Sequence, residues 1–153
     1  MGIFKAYDIR GIYGQDLTDE IFYKIARAYA KFAGVRKVVV ARDCRTHSEP
    51  LFAAFAKGLT DMGVDVIIGG HPHVVQPVEL LTSTTDSDHK TVCLYSMGNA
   101  VSNQRTGGSD LFPAGYVEDG ILFSVTFEKY SDGTVYVANA DVMPTWVYKH
   151  THD

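Results

Sequence analysis

Gly63-Val64-Asp65-Val66-Ile67-Ile68-Gly69-Gly70-His71-Pro72-His73 is the stretch that decides the fold. A glycine able to end a helix precedes an apolar run too short to be a helix. A glycine pair and two histidines follow it. The run reads as a strand, Val64–Ile68, buried on both faces of a parallel sheet. Working back, Ser48 is positioned to cap a helix with Pro50 in its first turn. Leu51, Phe55, Leu59 and Met62 form that helix's apolar stripe and Gly63 its stop. Val38-Val39-Val40 is a second buried strand. Before it, Ile21, Ile25, Ala28 and Phe32 recur at helical spacing between a Thr18 cap and a Gly34 stop. Asp19 and Glu20 favour the positive end of that helix. Residues 3–10 (Ile3, Phe4, Ala6, Ile9) read as a first strand. The order strand–helix–strand–helix–strand implies right-handed parallel crossovers.

Downstream the rhythm changes. Gln76–Leu81 fits a helical turn or a short strand, and Thr82–His89 is polar and loop-like. Thr91–Ser96 reads as a strand entering Gly98-Asn99. Ser102–Gly120 carries four glycines and a proline and predicts a mobile loop. Ile121, Phe123, Val125 and Phe127 alternate with Leu122, Ser124, Thr126 and Glu128, giving a strand with one apolar face. Asp132-Gly133 marks a hairpin turn, and Thr134–Val142 is the returning partner. Trp146 and Tyr148 are expected to pack across a sheet end. The expected class is α/β, with a three-layer-type sheet in a single domain spanning 1–153. A parallel βαβαβ N-terminal half and a β-rich C-terminal half with an antiparallel hairpin would merge into one mixed sheet.

Composition narrows the function classes. The chain has 153 residues, 46% hydrophobic and 21% charged, which is ordinary globular usage. A net charge of −4 with dispersed Lys and Arg argues against a nucleic-acid partner. No apolar stretch approaches the ~20 residues of a membrane span, and no signal peptide is visible, so a protein that is cytoplasmic or the product of recombinant soluble expression, without a membrane partner, is expected. Ala6 stands where myristoylation of Gly2 would need Ser or Thr. Cys44 and Cys93 fall in unrelated contexts and read as free thiols.

Phe4-Lys5-Ala6-Tyr7-Asp8-Ile9-Arg10-Gly11-Ile12-Tyr13-Gly14, Leu17-Thr18, Ala41-Arg42-Asp43-Cys44-Arg45 with Ser48, Gly58 and Gly63-Val64-Asp65-Val66 carry a resemblance. In order and spacing over about residues 3–68 they resemble the start of the phosphohexomutases, the phosphoglucomutase and phosphomannomutase enzymes. The resemblance implies that Tyr7 and Arg10 lie near a phosphoserine and a substrate phosphate. A guanidinium can grip phosphate oxygens through two parallel hydrogen bonds. The family's Thr-Ala-Ser-His-Asn-Pro serine loop and Asp-Gly-Asp magnesium loop do not occur, and its later domains are missing. Mutase activity is therefore not expected.

A second set of residues overlaps the first. Asp65-Val66-Ile67-Ile68-Gly69-Gly70-His71-Pro72-His73-Val74-Val75-Gln76-Pro77, Tyr95-Ser96-Met97-Gly98-Asn99, Gln104, Gly120-Ile121-Leu122 and Pro144-Thr145-Trp146-Val147 resemble the C-terminal part of the CapA-like capsule and poly-γ-glutamate synthesis proteins. These are relatives of the calcineurin-type metallophosphoesterases. Ala100 replaces a usual Phe. His71 and His73 match a Gly-His-x-His motif that supplies metal ligands in the wider fold, but the family's earlier ligands are absent.

Taken together, the two resemblances imply a chimera-like join, engineered or recombination-derived, of a phosphohexomutase-like segment (1–66) and a CapA-like segment (64–153). It would have no complete active site. One alternative is a minimal phosphoesterase that holds zinc or manganese on His71, His73, Asp43 and Asp8, with His47 as a further candidate. Asn99 would polarise a phosphate oxygen there. Another is a module binding phosphate or phosphosugar through Tyr7, Arg10, Arg42, Arg45 and Asn99. The plain alternative for the arginines is strand-end charge. No nucleophile elbow marks Ser48 or Ser96 for Ser-His-Asp chemistry. Apolar surface left by two partial cores predicts a homo-oligomer.

Overall fold

The computed structural model describes residues 2–43, 45–99, 102 and 116–148. Cys44, Ala100, Gln104 and most of the Ser102–Gly120 loop lie outside these residues. The elements run α1 (Asp19–Ala33), β1 (Lys37–Ala41), α2 (Ser48–Thr60), β2 (Val66–Gly70), β3 (Val78–Thr82), β4 (Lys90–Leu94), β5 (Asp119–Lys129) and β6 (Val135–Trp146). The class is mixed α/β, as expected.

Helix α1 begins where the Ile21 amide donates to the Thr18 hydroxyl at 3.3 Å, and it ends at Gly34 in the left-handed region. Helix α2 starts at Ser48, but Ser48 does not cap it. His47 holds the cap position with no side-chain bond, because the Ser48 hydroxyl donates to Asp43 instead.

Four strands form one sheet in the order β1-β2-β4-β3. β1 and β4 each pair in parallel with β2, and β3 runs antiparallel to β4. The ambiguous stretch after Gln76 is thus strand, because β4 offers it a partner. The strand expected at Val64–Ile68 lies two residues later, with Val64 joining the core just before it.

Both helices share one face of this sheet. Val38, Ile67 and Cys93 stand side by side in register and pack with Ala26 and Ala30 of α1 and Phe52, Ala56 and Leu59 of α2. Removing a side chain such as Leu59 or Ile67 from water contributes about 2 kcal/mol. Cys93 is fully buried; burial first, and Glu79 second, pushes its thiol up to about 12. On the other face Val66, Val92 and Leu94 are buried, while the edge residues Val39 and Leu80 are 76% and 63% exposed.

Two expectations are corrected. Residues 3–10 form no sheet strand. Phe4 and Ile9 make an isolated antiparallel bridge, closed by Lys5 N–H to Asp8 and Arg10 N–H to Ile3, so the segment satisfies its backbone on itself. The hairpin does not merge with the sheet either. β5 and β6 form a separate two-stranded antiparallel sheet around a turn at Gly133. A Gly98–Gly120 bridge ties it to the end of β4, and Lys37 lies 4.5 Å from the centre of the Phe127 ring. Trp146, the last residue of β6 and paired with Asp119, has its ring centre 5.6 Å from that of Tyr148 and is 61% exposed. No described helix is long and apolar enough to cross a membrane.

Candidate functional site

Parallel strands deliver their C-terminal ends to one rim, where ligands of open α/β sheets bind. Here the rim is the exit of β1 and β2. Arg42 follows β1 directly, and its amide donates to the Gly70 carbonyl at 3.2 Å, extending the pairing by one residue. The segment Ile9–Leu17 faces this exit across a cleft of about 590 Å3. Arg10, Arg42, Arg45, Asp43, His47 and Ser48 line it over an apolar floor that includes Phe22, Phe52 and Phe55. Tyr13 stacks on His47 with ring centres 5.5 Å apart.

The charges in this cleft are unequally committed. Arg10 Nε lies 2.6 Å from Asp8 Oδ2, and Arg45 Nε lies 3.4 Å from Asp43 Oδ2. The Ser48 hydroxyl and the Arg45 amide donate to Asp43, and these bonds, in that order of importance, hold its carboxyl below the usual range. Arg42 is different. Its Nη2 donates to the neutral Gln76 Oε1 at 2.7 Å, and its buried Nε has no acceptor among the described residues. Arg42 is therefore the guanidinium here that no described carboxylate neutralises. The first turn of α2 adds its positive end at Ser48.

The other anticipated residues lie apart from this cleft. Tyr7 is fully exposed, in a shallow depression with Lys5, Asp8 and Arg10. His71 and His73 follow β2 with positive φ of 88° and 63°, a region that L-residues seldom adopt and that clusters at functional positions. Their ring centres are 5.9 Å apart. Asn99 holds His73. Its Nδ2 donates to the carbonyls of His73 (3.2 Å) and Val117 (2.7 Å), so its Oδ1 accepts from His73 Nδ1 at 2.8 Å. Among the described residues no three His, Cys, Asp or Glu side chains converge on a possible metal position. Asp8, Asp43, His71 and His73 thus do not form a single ligand set there; the two carboxylates instead face Arg10 and the Ser48–Arg45 pair.

Tyr13, Gln76 and Ser48 were quoted in the sequence motifs, but none was named as a phosphate or metal ligand. The spacing of Ser48 five residues after Asp43 was the available signal. Gln76 joins Arg42 from 34 positions away and left none.

Residues 1–94 match the family model described as phosphoglucomutase/phosphomannomutase, alpha/beta/alpha domain I. The chain is similar to a phosphomannomutase of Klebsiella pneumoniae, 52% identical over 64 residues that cover 42% of this chain and 41% of that protein. A phosphomannomutase of Escherichia coli is likewise 52% identical over 64 residues, 42% of this chain and 14% of its own length. A phosphoglucosamine mutase of Thermotoga maritima is 47% identical over 67 residues, 44% of this chain and 16% of that protein. The chain therefore spans less than half the length of these relatives. No solved structure matches it significantly. None of these matches shows the second, CapA-like family or a join, and residues 64–94 fall within the first family's match.

Proposed function

Because this chain belongs to the phosphoglucomutase/phosphomannomutase domain I family through residues 1–94, we propose that it binds the phosphate of a sugar phosphate at the β1–α2 rim. Arg42 is the principal cation, Arg10 and Arg45 flank it, and the first turn of α2 contributes its dipole. The carrying observation is the Arg42 guanidinium, in a cleft with two further arginines and without a described carboxylate partner. A phosphate dianion supplies the acceptors that Gln76 alone does not. Calorimetric titration with inorganic phosphate and with glucose 1-phosphate tests this. Binding should weaken roughly tenfold or more on Arg42→Ala. No binding, or affinity unchanged by that substitution, would remove the proposal. Turnover by this chain alone is not expected, since the serine loop of the family does not occur in its sequence. Incubation with glucose 1-phosphate should yield no 6-phosphate.

A second reading is favoured by the bond between His73 Nδ1 and Asn99 Oδ1. An imidazole oriented through one ring nitrogen is the usual presentation of a metal ligand. In this reading His71 and His73 bind zinc or manganese and serve a phosphoesterase reaction. Hydrolysis of p-nitrophenyl phosphate with either metal, lost on His71→Ala, would support it. The origin as a join of two fragments belongs here too, and its support is the sequence resemblance of residues 63–148 alone, since β1, β2 and β4 all lie within the first family's match.

A further inference from the structure

The structure leaves one long strand half-partnered. Along β5 the odd-numbered residues turn their N–H and C=O groups away from β6. This is visible at its start, where Ile121 N–H donates to Met97 O at 3.1 Å and Asp119 O accepts from Asn99 N–H at 3.3 Å. The irregularity between Thr126 and Phe127 falls on β6, where Ala138 is skipped, so β5 keeps its alternation to Lys129. The segment Met97–Asn99 covers this edge only as far as Ile121. Beyond it, Phe123, Val125 and Phe127 present outward backbone groups that have no strand partner among the described residues. A two-stranded ribbon is marginal by itself in water, and such an edge is a template for another strand.

The residues along the open edge indicate which strand. Phe123-Ser124-Val125-Thr126-Phe127 reads apolar, hydroxyl, apolar, hydroxyl, apolar in either direction. We propose that β5 pairs with β5 of a second copy of this chain, antiparallel about a two-fold axis at Val125, giving an intermolecular sheet β6-β5-β5-β6. Strand parity fits this register. Val125 opposes Val125 of the partner subunit, and Phe123 opposes Phe127 of the partner subunit. All are outward-facing residues, so each such pair exchanges both of its N–H···O bonds. Ser124 opposes Thr126 of the partner subunit on the other face, a hydroxyl pair that suits antiparallel sheets. No like charges face each other. Lys129 of each copy is carried toward the acidic Asp119 end of the other, where Met97–Asn99 stops the pairing. The apolar face of Phe123, Val125 and Phe127 becomes continuous across the axis, and an isologous contact of this kind closes at two copies.

Sedimentation equilibrium of the intact chain from low to high micromolar concentration tests the proposal. A concentration-dependent dimer is expected. Val125→Lys and Val125→Glu should each be monomeric, because two like charges meet on the axis, while an equimolar mixture of the two should dimerise again. A wild-type monomer throughout, a dimer that survives both substitutions, or a mixture that stays monomeric would overturn it. If either charged variant loses its helical circular dichroism, Val125→Pro carries the test, since it removes the outward N–H of this residue and no N–H that faces β6. Loss of the dimer supports the pairing, and retention overturns it.

Discussion

Asp61 closes the C-terminal end of α2, and its carboxylate is wholly out of solvent. It accepts from Tyr23 Oη at 2.8 Å, Lys57 Nζ at 3.0 Å, Ser83 Oγ at 3.2 Å and both the amide and the hydroxyl of Thr84 at 2.6 and 2.7 Å. Burial alone would raise its pKa. The bonds from Thr84, Tyr23 and Lys57 outweigh burial and hold the group far below the carboxylate range. Replacing Asp61 by Ala strands these donors and should cost about 3 kcal/mol in urea unfolding at neutral pH. The depressed pKa fixes the sign of the pH dependence. The stabilisation is complete above the unfolded carboxylate value of about 4 and is lost as pH falls below it toward the folded value. Wild-type midpoints should therefore drop on acidification below about pH 4, and the Asp61→Ala variant should lose that part of the slope. Nothing in the sequence announced this cluster, because Asp61 and Thr84 lie 23 positions apart and Thr82–His89 reads only as a polar loop. The rim residues were more legible. Arg42, Arg45 and Asp43 were marked by following a buried strand, whereas convergence of Asp8, Asp43 and the histidines needed distances that spacing does not supply.

Among the elements, the two helices meet where Gly58 lets them. A methyl group at Gly58 would sit 2.5 Å from the Tyr23 carbonyl oxygen and 2.8 Å from Ala26 Cβ. Helix propensity alone would favour Gly58→Ala by about 1 kcal/mol. The obstructing atoms are backbone and a short side chain, so the helices would have to part, and net destabilisation of about 1–3 kcal/mol is expected in thermal or urea melts. The Thr18 cap, the Gly34 stop, the alternation of β5 and the turn at Gly133 were readable because each is a local signal fixed by a few neighbouring residues. Residues 3–10 misled because apolar content identifies extended backbone but does not name its partner. Ile3 and Arg10 partner each other, and no sheet strand forms. Gln76–Leu81 stayed ambiguous for the same reason, since pairing with β4 is what makes it a strand.

At the scale of the molecule, a four-stranded sheet covered on one face by two helices carries a hairpin attached mainly at its base. β2 lies inside the sheet, bonded on both sides, whereas the outward amides of Phe123, Val125 and Phe127 have no described strand partner. In hydrogen exchange on dilute protein, the amides of β2 and β4 should be protected by the full unfolding free energy and those outward amides far less. A uniform pattern across both sheets would contradict this picture. The burial of Cys93 gives the same hierarchy a chemical reporter. A thiol with no solvent contact and a pKa of about 12 holds almost no thiolate at neutral pH, so alkylating reagents reach it only when the strands beneath α2 separate. In a Cys44→Ser background the rate of iodoacetamide capture would report the opening of the central sheet. The protein thus carries an intrinsic stopwatch for its own breathing.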